Sequence, residues 1–377
     1  MAERYSSNVL YIIAAMCGLS PASAPSFPAP WAAQSQPSVT KTDERVVLFP
    51  AAGYLDADGL WRVDVHGWIF EPEEDDRLRS ALQRKLAETL GLDPADAEGD
   101  RFRARAALFL ADNERGKRVV IEVEGTTVRT LADPSGPEGH FDATLWLDPA
   151  TMPPTDPPTP IRALTLRVPL PEGDARAYVT SADLIPPEGL SVVSDIDDTV
   201  KVSNVRDRAA LLQNTFVRPF EPAPGMAALY QRLHARGAAF HYVSASPWQL
   251  FPPLAEFLRD AGFPPGHWSM REFRLKDRTL LALFDDPEQY KMAAIGPLLE
   301  RWPKRSWVLI GDSGEKDPEA YLALARQHPG RVVKVLIRDV SGEPRDAERY
   351  RRLMEGLDPA LLDVFETPPE SLELPPK

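Results

Sequence analysis

The stretch SVVSDIDDTVKVSNV, residues 191–205, places three acids directly after an apolar run that is typical of a buried strand. The acids are Asp195, Asp197 and Asp198. Repulsion between like charges and loss of hydration both oppose such a cluster at the end of a buried strand. Either a cation binds there or the carboxylates cap a turn, and the rest of the chain has to distinguish the two.

Strand and helix patterns alternate from residue 186 onward. The strand patterns AAFHYVSAS, SWVLIGDS and VVKVLIRDV are separated by helix patterns such as PGMAALYQRLHARG and DPEAYLALARQHPG. Proline near the start and glycine at the end are typical of helix boundaries. The alternation predicts an α/β fold, a parallel sheet with helices on both faces. Such sheets bind ligands at the carboxyl ends of their strands.

Polar residues that could take part in catalysis or ligand binding fall at those strand ends. They are Asp195 and Asp197, Ser244 and Ser246, Asp312, and Lys291 near the start of the helix that precedes the last of these strands. Each of them alone has a plain structural interpretation, as a helix cap or as a solvated side chain. Their convergence on one edge of the predicted sheet favours a catalytic site.

The motif order DIDDT, YVSASPW, YK and GDSGEKDPE resembles the haloacid dehalogenase superfamily of phosphotransferases. More narrowly, it resembles the actin-patch phosphatidate phosphatase family, whose fungal members remove phosphate from phosphatidate with magnesium. The resemblance covers most of residues 186–340, including NTFVRPF and GMAALYQRL, and extends more weakly into RGKRVVIEV. It implies a Rossmann-like, haloacid-dehalogenase-type catalytic domain over residues 186–342.

Roles for individual residues follow from the resemblance and agree with the chemistry of phosphoryl transfer. Asp195 would attack phosphorus and form an aspartyl phosphate. Asp197 would protonate the leaving oxygen and later deprotonate the attacking water. Ser244 would hydrogen-bond a phosphoryl oxygen, Lys291 would offset negative charge, and Thr199 would steady the loop after the first strand.

The cofactor implied by the resemblance is Mg²⁺, which prefers oxygen ligands. The expected ligands are the carboxylate of Asp195, the backbone carbonyl of Asp197 and the carboxylate of Asp312. Asp317 would support the metal at one remove.

The substrate is less closely defined than the mechanism. Only about 40 residues separate Thr199 from the second strand, which leaves no room there for a large cap domain and predicts an open site suited to a phospholipid. Ser246 and Trp248 lie where they could contact substrate, and Arg274 and Lys276 could meet a headgroup. Packing of a helix against the sheet explains Trp248 equally well, and a solvated strand edge explains the two cations.

Several functions stay open at this level. The favoured one is hydrolysis of phosphatidate to diacylglycerol, with peripheral membrane contact. A phosphatase of a soluble phosphate ester or phosphoprotein is the alternative. A non-catalytic phospho-ligand binding module and a receiver-like signalling domain fit less well, because all motif positions are filled and receivers lack an acid two residues after the phosphorylated aspartate. The net charge of −13 argues against nucleic-acid binding.

Residues 45–185 have strand patterns such as WRVDVHGWIF and HFDATLWLD, which predict an antiparallel β-sandwich. Leu78, Leu82, Leu86 and Leu90 recur every four residues and predict one inserted helix. With a single cysteine, Cys17, an intrachain disulfide is excluded.

The two ends of the chain differ from the body in composition. The apolar run NVLYIIAAMCGL predicts a signal peptide over residues 1–24, followed by a disordered linker over 25–44. The protein would then be exported to the periplasm or secreted, and it would otherwise be cytoplasmic. Residues 343–377 are expected to form a helical tail with a disordered end.

Overall fold

The structure is a computed structural model that describes residues 36–73, 76–152, 161–272, 287–372 and 374. The proposed signal peptide and most of the linker lie outside the described residues. The same holds for Arg274 and Lys276, so these expectations stay predictions.

Residues 45–184 form an antiparallel β domain, as the alternating patterns predict. Its strands make one hydrogen-bonded sheet of order β1-β3-β2-β9-β8-β5-β6, with β4 and β7 also pairing with β3. Among the strand pairs of the described residues in this domain, only β2–β9 is parallel. The elements are β1 Arg45–Leu48, β2 Ala51–Leu55, β3 Trp61–Glu71, α1 Asp76–Leu90, α2 Pro94–Ala97, α3 Asp100–Phe109, β4 Asp112–Asn113, β5 Val120–Val123, β6 Arg129–Leu131, β7 His140–Leu147, β8 Arg162–Val168 and β9 Tyr178–Leu184.

The sheet folds around a core of alternate residues, because successive side chains of a strand point to opposite faces. Val63 of β3, Ile121 of β5 and Leu166 of β8 share this core and are fully buried. A backbone hydrogen bond of 2.8 Å from Asp133 N to Asp142 O links the β6 end of the sheet to β7. The sheet therefore curls back on itself.

The predicted helix is the first member of a three-helix segment, α1 to α3, between β3 and β4. We call this segment, Asp76–Phe109, the helical insert. Leu86 and Leu90 of α1 and Phe102 of α3 are buried. None of the helices in the described ranges combines the length and the apolar character needed to cross a bilayer.

Residues 188–365 form an α/β domain around a parallel sheet of order β12-β11-β10-β13-β14-β15. Its elements are β10 Glu188–Ser194, α4 Arg208–Leu212, a π-helix Gln213–Val217, α5 Met226–Ala235, β11 Ala239–Pro247, α6 Phe251–Asp260, β12 His267–Arg271, α7 Pro287–Arg301, β13 Lys304–Asp312, α8 Asp317–Gln327, β14 Val332–Arg338, α9 Glu348–Leu353 and β15 Leu362–Phe365. Counted within the domain, the order is 3-2-1-4-5-6, the doubly wound order. The predicted α/β fold is confirmed.

The tail differs from the expectation of a helical segment. The helix α9 is present, but β15 follows it and adds a parallel strand beside β14, with Val335 opposite Leu362. Asp339 N donates to Phe365 O at 2.6 Å. Four residues are too few for hydrophobic periodicity to distinguish strand from helix, so only pairing with β14 defines this strand.

An aromatic cluster joins the two domains. Phe49 lies after β1, and its ring centroid is 4.1 Å from that of Trp248 and 5.0 Å from that of Phe251. The indole of Trp302 in the α/β domain donates to Ile185 O at 3.1 Å, at the junction of the domains. The β domain thus packs directly on the segment that follows β11.

Candidate active site

The acids identified from the sequence lie at the point where the strand order reverses. Asp195 and Asp197 follow β10, and Asp312 ends β13, the neighbouring strand. Asp195 N donates to Ile310 O at 2.9 Å, so the sheet pairing holds Asp195 directly beside the end of β13. Doubly wound sheets bind their ligands at this reversal of the strand order.

Lys291 stands at the centre of the acids. Its Nζ lies 3.0 Å from Asp195 Oδ1 and 2.9 Å from Glu315 Oε2, and it also pairs with Asp317. The Lys291 side chain is fully buried. Burial works to lower the pKa of Lys291, but the three carboxylates outweigh it and raise that pKa well above the usual value. The helix α7 therefore delivers a permanently charged ammonium group to the strand ends.

The cluster carries more negative than positive charge. Asp195, Glu315 and Asp317 pair with Lys291, and Asp312 lies beside two of them, so full ionisation of these four acids and one ammonium would leave a net charge of −3 (one minus four). Burial, together with the neighbouring acids, raises the pKa of Asp195 and Asp312 well above the usual range and that of Asp317 to about 6. Such crowding favours a bound cation.

The donor set fits a hard divalent cation. Carboxylate oxygens of Asp195, Asp312 and Asp317 lie within 4.8 Å of one another. Asp312 Oδ1 accepts hydrogen bonds from Gly314 N at 2.6 Å and Glu315 N at 3.2 Å. Asp312 Oδ2 is buried and has no hydrogen-bond partner within the described part of the chain. An unpaired buried carboxylate oxygen is costly, and a metal ion would satisfy it.

Asp197 has surroundings of its own. Its Oδ1 lies 2.9 Å from Lys201 Nζ and accepts from Ser203 Oγ at 2.7 Å, and its Oδ2 accepts from Ser246 Oγ at 2.9 Å. Burial works to raise the pKa of Asp197, but Lys201 and the hydroxyl donors hold it below the usual range. This environment stabilises the carboxylate, the form that can accept a proton.

The loop after β10 is held by its own side chains. Asp198, with φ of 55°, accepts backbone hydrogen bonds of 2.7–2.9 Å from residues 203–205. Arg338 Nη1 donates to Asp198 O at 2.6 Å, and Thr199 Oγ1 donates to Asp195 Oδ2 at 3.3 Å. Asp198 therefore acts as a structural cap of this loop.

Of the remaining predicted residues, Ser244 and Ser246 lie near the acids, whereas Trp248 does not belong to the site. Ser244 is buried at the end of β11, where its Oγ accepts from Ser246 N at 3.0 Å, and Ser246 in turn contacts Asp197. Trp248 is only 4% exposed and lies against Phe49 of the β domain, so the structure places it in the domain interface.

Sequence reasoning missed several residues of the site. Lys201 and Ser203 hold Asp197, and Glu315 contacts Lys291. Arg349 of α9 donates to Ser313 O at 2.7 Å and Glu315 O at 2.8 Å, which fixes the loop after β13. Lys201 and Ser203 lie within a few residues of Asp197, and this short spacing could have indicated that they contact it. No local pattern indicates Arg349.

A doubly wound sheet with paired acids at its reversal point and a buried lysine beside them defines an α/β fold of the haloacid-dehalogenase type. Residues 190–339 match the family described as Phosphatidate phosphatase APP1, catalytic domain. This match agrees with the family that the motif order indicated.

Individual relatives agree with this assignment. The phosphatidate phosphatase APP1 of Saccharomyces cerevisiae is 32% identical over 193 residues, which cover 50% of this chain and 32% of the yeast protein. An uncharacterised protein of Schizosaccharomyces pombe is 29% identical over 171 residues, 45% of this chain and 28% of that protein. The chain thus spans about a third of the length of these relatives.

Among solved structures, a phosphoserine phosphatase with a phospho-aspartyl intermediate analogue aligns with a TM-score of 0.28 at 12% identity. The alignment covers 47% of this chain and 93% of that one.

Proposed function

We propose that this chain is a magnesium-dependent phosphatase that hydrolyses a phosphomonoester through an aspartyl phosphate, with phosphatidate as the favoured substrate. The observation that carries the proposal is the meeting of three carboxylates at the single ammonium of Lys291, next to a fourth, Asp312, that has one oxygen buried and unsatisfied. A structural ion pair needs one acid for one lysine. A bound cation would balance the surplus acids.

In the proposed reaction, a carboxylate oxygen of Asp195 forms a bond to phosphorus while the bond from phosphorus to the leaving oxygen breaks. A proton on Asp197 passes to the leaving oxygen. Water then attacks phosphorus, the bond to Asp195 breaks, and the water proton returns to Asp197. The lowered pKa of Asp197 keeps the side chain ionised, the form that accepts a proton in this second half, whereas the first half starts from the protonated acid.

The side chains around the two acids position them. Thr199 and Lys291 orient the carboxylate of Asp195. Ser244, buried beside the same strand ends, would donate to a phosphoryl oxygen. Asp195 and Asp312 would hold Mg²⁺, which would supply charge neutralisation on the phosphate when bound. Phosphatidate is favoured because the APP1 family is named for that activity, and contact with a membrane surface is part of the proposal.

The test is a phosphate-release assay with phosphatidate in mixed micelles and with p-nitrophenyl phosphate, each with Mg²⁺ or with EDTA. We expect Mg²⁺-dependent release from phosphatidate, and loss of that activity in Asp195→Asn with unchanged circular dichroism. Asp260→Asn, at an exposed position on α6, is the matched control and should retain full activity. Continued hydrolysis by Asp195→Asn would refute the mechanism. Activity on the aryl phosphate alone would favour the soluble-substrate alternative.

A further inference from the structure

A pocket opens beside Asp197, and Glu315, one of the acids that pair with Lys291, also lines it. It holds about 550 Å³ of space, counted with its open mouth. Its walls are largely apolar, and the polar residues that line it are Asp197, Thr215, Ser246 and Glu315. We call it the leaving-group pocket, and its principal apolar side chains are Phe109, Leu211, Phe216 and Leu250.

One wall of this pocket comes from the other domain. Phe109 is the last residue of α3 in the helical insert, and its ring centroid is 5.5 Å from that of Phe216. The stretch between Thr199 and β11 contains α4, the π-helix and α5, so the expectation that no large cap lies there agrees with the structure. The helical insert of the β domain nevertheless covers one side of the site.

The insert is anchored to the π-helix by specific contacts. Arg105 is 6% exposed and donates to Thr215 O at 2.7 Å and Arg218 O at 3.0 Å. Gln213 Nε2 donates to Asp96 Oδ2 at 2.7 Å. Since Thr215 also lines the leaving-group pocket, these contacts fix the position of its wall. The wall is therefore a built feature of the domain interface.

We infer that the leaving-group pocket binds an apolar chain on the alcohol that leaves phosphorus, and that Phe109 is a specificity-determining residue. The inference rests on the proposed function, in which Asp197 gives its proton to the leaving oxygen. The group attached to that oxygen must then extend beside Asp197, where the walls are hydrocarbon and aromatic. Binding there removes apolar surface from water, which a polar leaving group such as serine or a sugar cannot match.

The experiment measures binding of ethyl-, butyl-, hexyl- and octylphosphonate by isothermal titration calorimetry with Mg²⁺ present. These compounds cannot be hydrolysed, so the result does not depend on turnover. We expect the affinity to rise about threefold per methylene in the wild-type protein. Phe109→Ala should lower the affinity for hexylphosphonate about tenfold and flatten the dependence on chain length.

The matched control is Phe102→Ala on the same helix. Phe102 is also fully buried and packs 6.4 Å from Phe216 between ring centroids, but it does not line the pocket. The affinity of Phe102→Ala for the alkylphosphonates should therefore keep the wild-type dependence on chain length. Phe109→Leu, which keeps an apolar side chain, serves if Phe109→Ala does not fold.

The outcomes separate the two proposals. An affinity that does not change with chain length in the wild-type protein would overturn the inference. So would equal losses in Phe109→Ala and Phe102→Ala. Affinity that depends on chain length and on Phe109, in a protein that releases no phosphate from any ester, would support the pocket and overturn the proposed activity.

Discussion

Arg105 offers a direct test of how the β domain supports the candidate site. Its guanidinium donates to two carbonyls of the segment after α4 and lies 3.6 Å from the ring centroid of Phe220. Burial lowers the pKa of Arg105 only to about 10, so the group stays cationic at neutral pH. We expect Arg105→Ala to destabilise the protein and to loosen the π-helix.

The size of the effect follows from the individual contacts. The Thr215 carbonyl is buried and would lose its donor, at a cost of about 1–3 kcal/mol. The Arg218 carbonyl is partly exposed, and water can replace the lost bond there. Loss of the contact with the Phe220 ring adds about 1 kcal/mol. We therefore expect the free energy of unfolding to fall by about 3 kcal/mol.

Urea unfolding followed by circular dichroism measures this change, with Arg103→Ala as the control. Arg103 lies on the same helix and is exposed, so its removal should cost less than about 0.5 kcal/mol. Arg105→Lys keeps the charge but cannot reproduce the forked geometry, and it should fall between the two. A difference below about 1 kcal/mol between Arg105→Ala and Arg103→Ala would refute the argument.

Two further predictions concern the end of β13 next to Asp312 and the domain interface. In Gly311→Ala, the added methyl group would collide with the Asp317 side chain, so we expect phosphate release to fall at least about tenfold. The control is Gly296→Ala, where no atom lies within 4 Å of the added methyl group, and it should leave phosphate release unchanged. Equal activity of the two variants would contradict this. The rings of His66 and His140 hydrogen-bond at 3.0 Å, and burial lowers their pKa to about 3 and about 4. Below about pH 6.5 these histidines bind protons in the unfolded chain but stay neutral in the folded protein. The free energy of unfolding should therefore fall as the pH is lowered to about 4. Urea midpoints at pH 7 and 5 should differ less in His140→Gln, and an unchanged difference would count against the histidine pair.

The candidate site shows what local sequence patterns can indicate. Asp195, Asp197, Asp312 and Lys291 were singled out because each lies at or near the end of a periodic element, and the structure brings them to one edge of the sheet. A parallel sheet brings the carboxyl ends of its strands to one edge, so an ordered set of motifs already indicates proximity. The structure adds distances and the unsatisfied oxygen of Asp312.

Other features depend on partners that no local pattern reveals. Trp248 had two equal interpretations, and only its contact with Phe49, almost 200 residues earlier in the chain, places it in the domain interface. In the sequence, Arg105 is one of several arginines within a few residues of one another, and only its carbonyl partners in the structure distinguish it from the others. The strand β15 exists because β14 offers it an edge.

The amino-acid sequence by itself determined the α/β character of the second domain, the order of its motifs and the identity of the acids at its strand ends. These depend on periodicity and on short spacings, which are properties of neighbouring residues. Only the tertiary structure decided that the helical insert of the β domain forms a wall of the pocket beside Asp197, and that Lys291 meets three carboxylates. Those contacts join segments distant in sequence, and their formation depends on how whole elements pack to bury apolar surface.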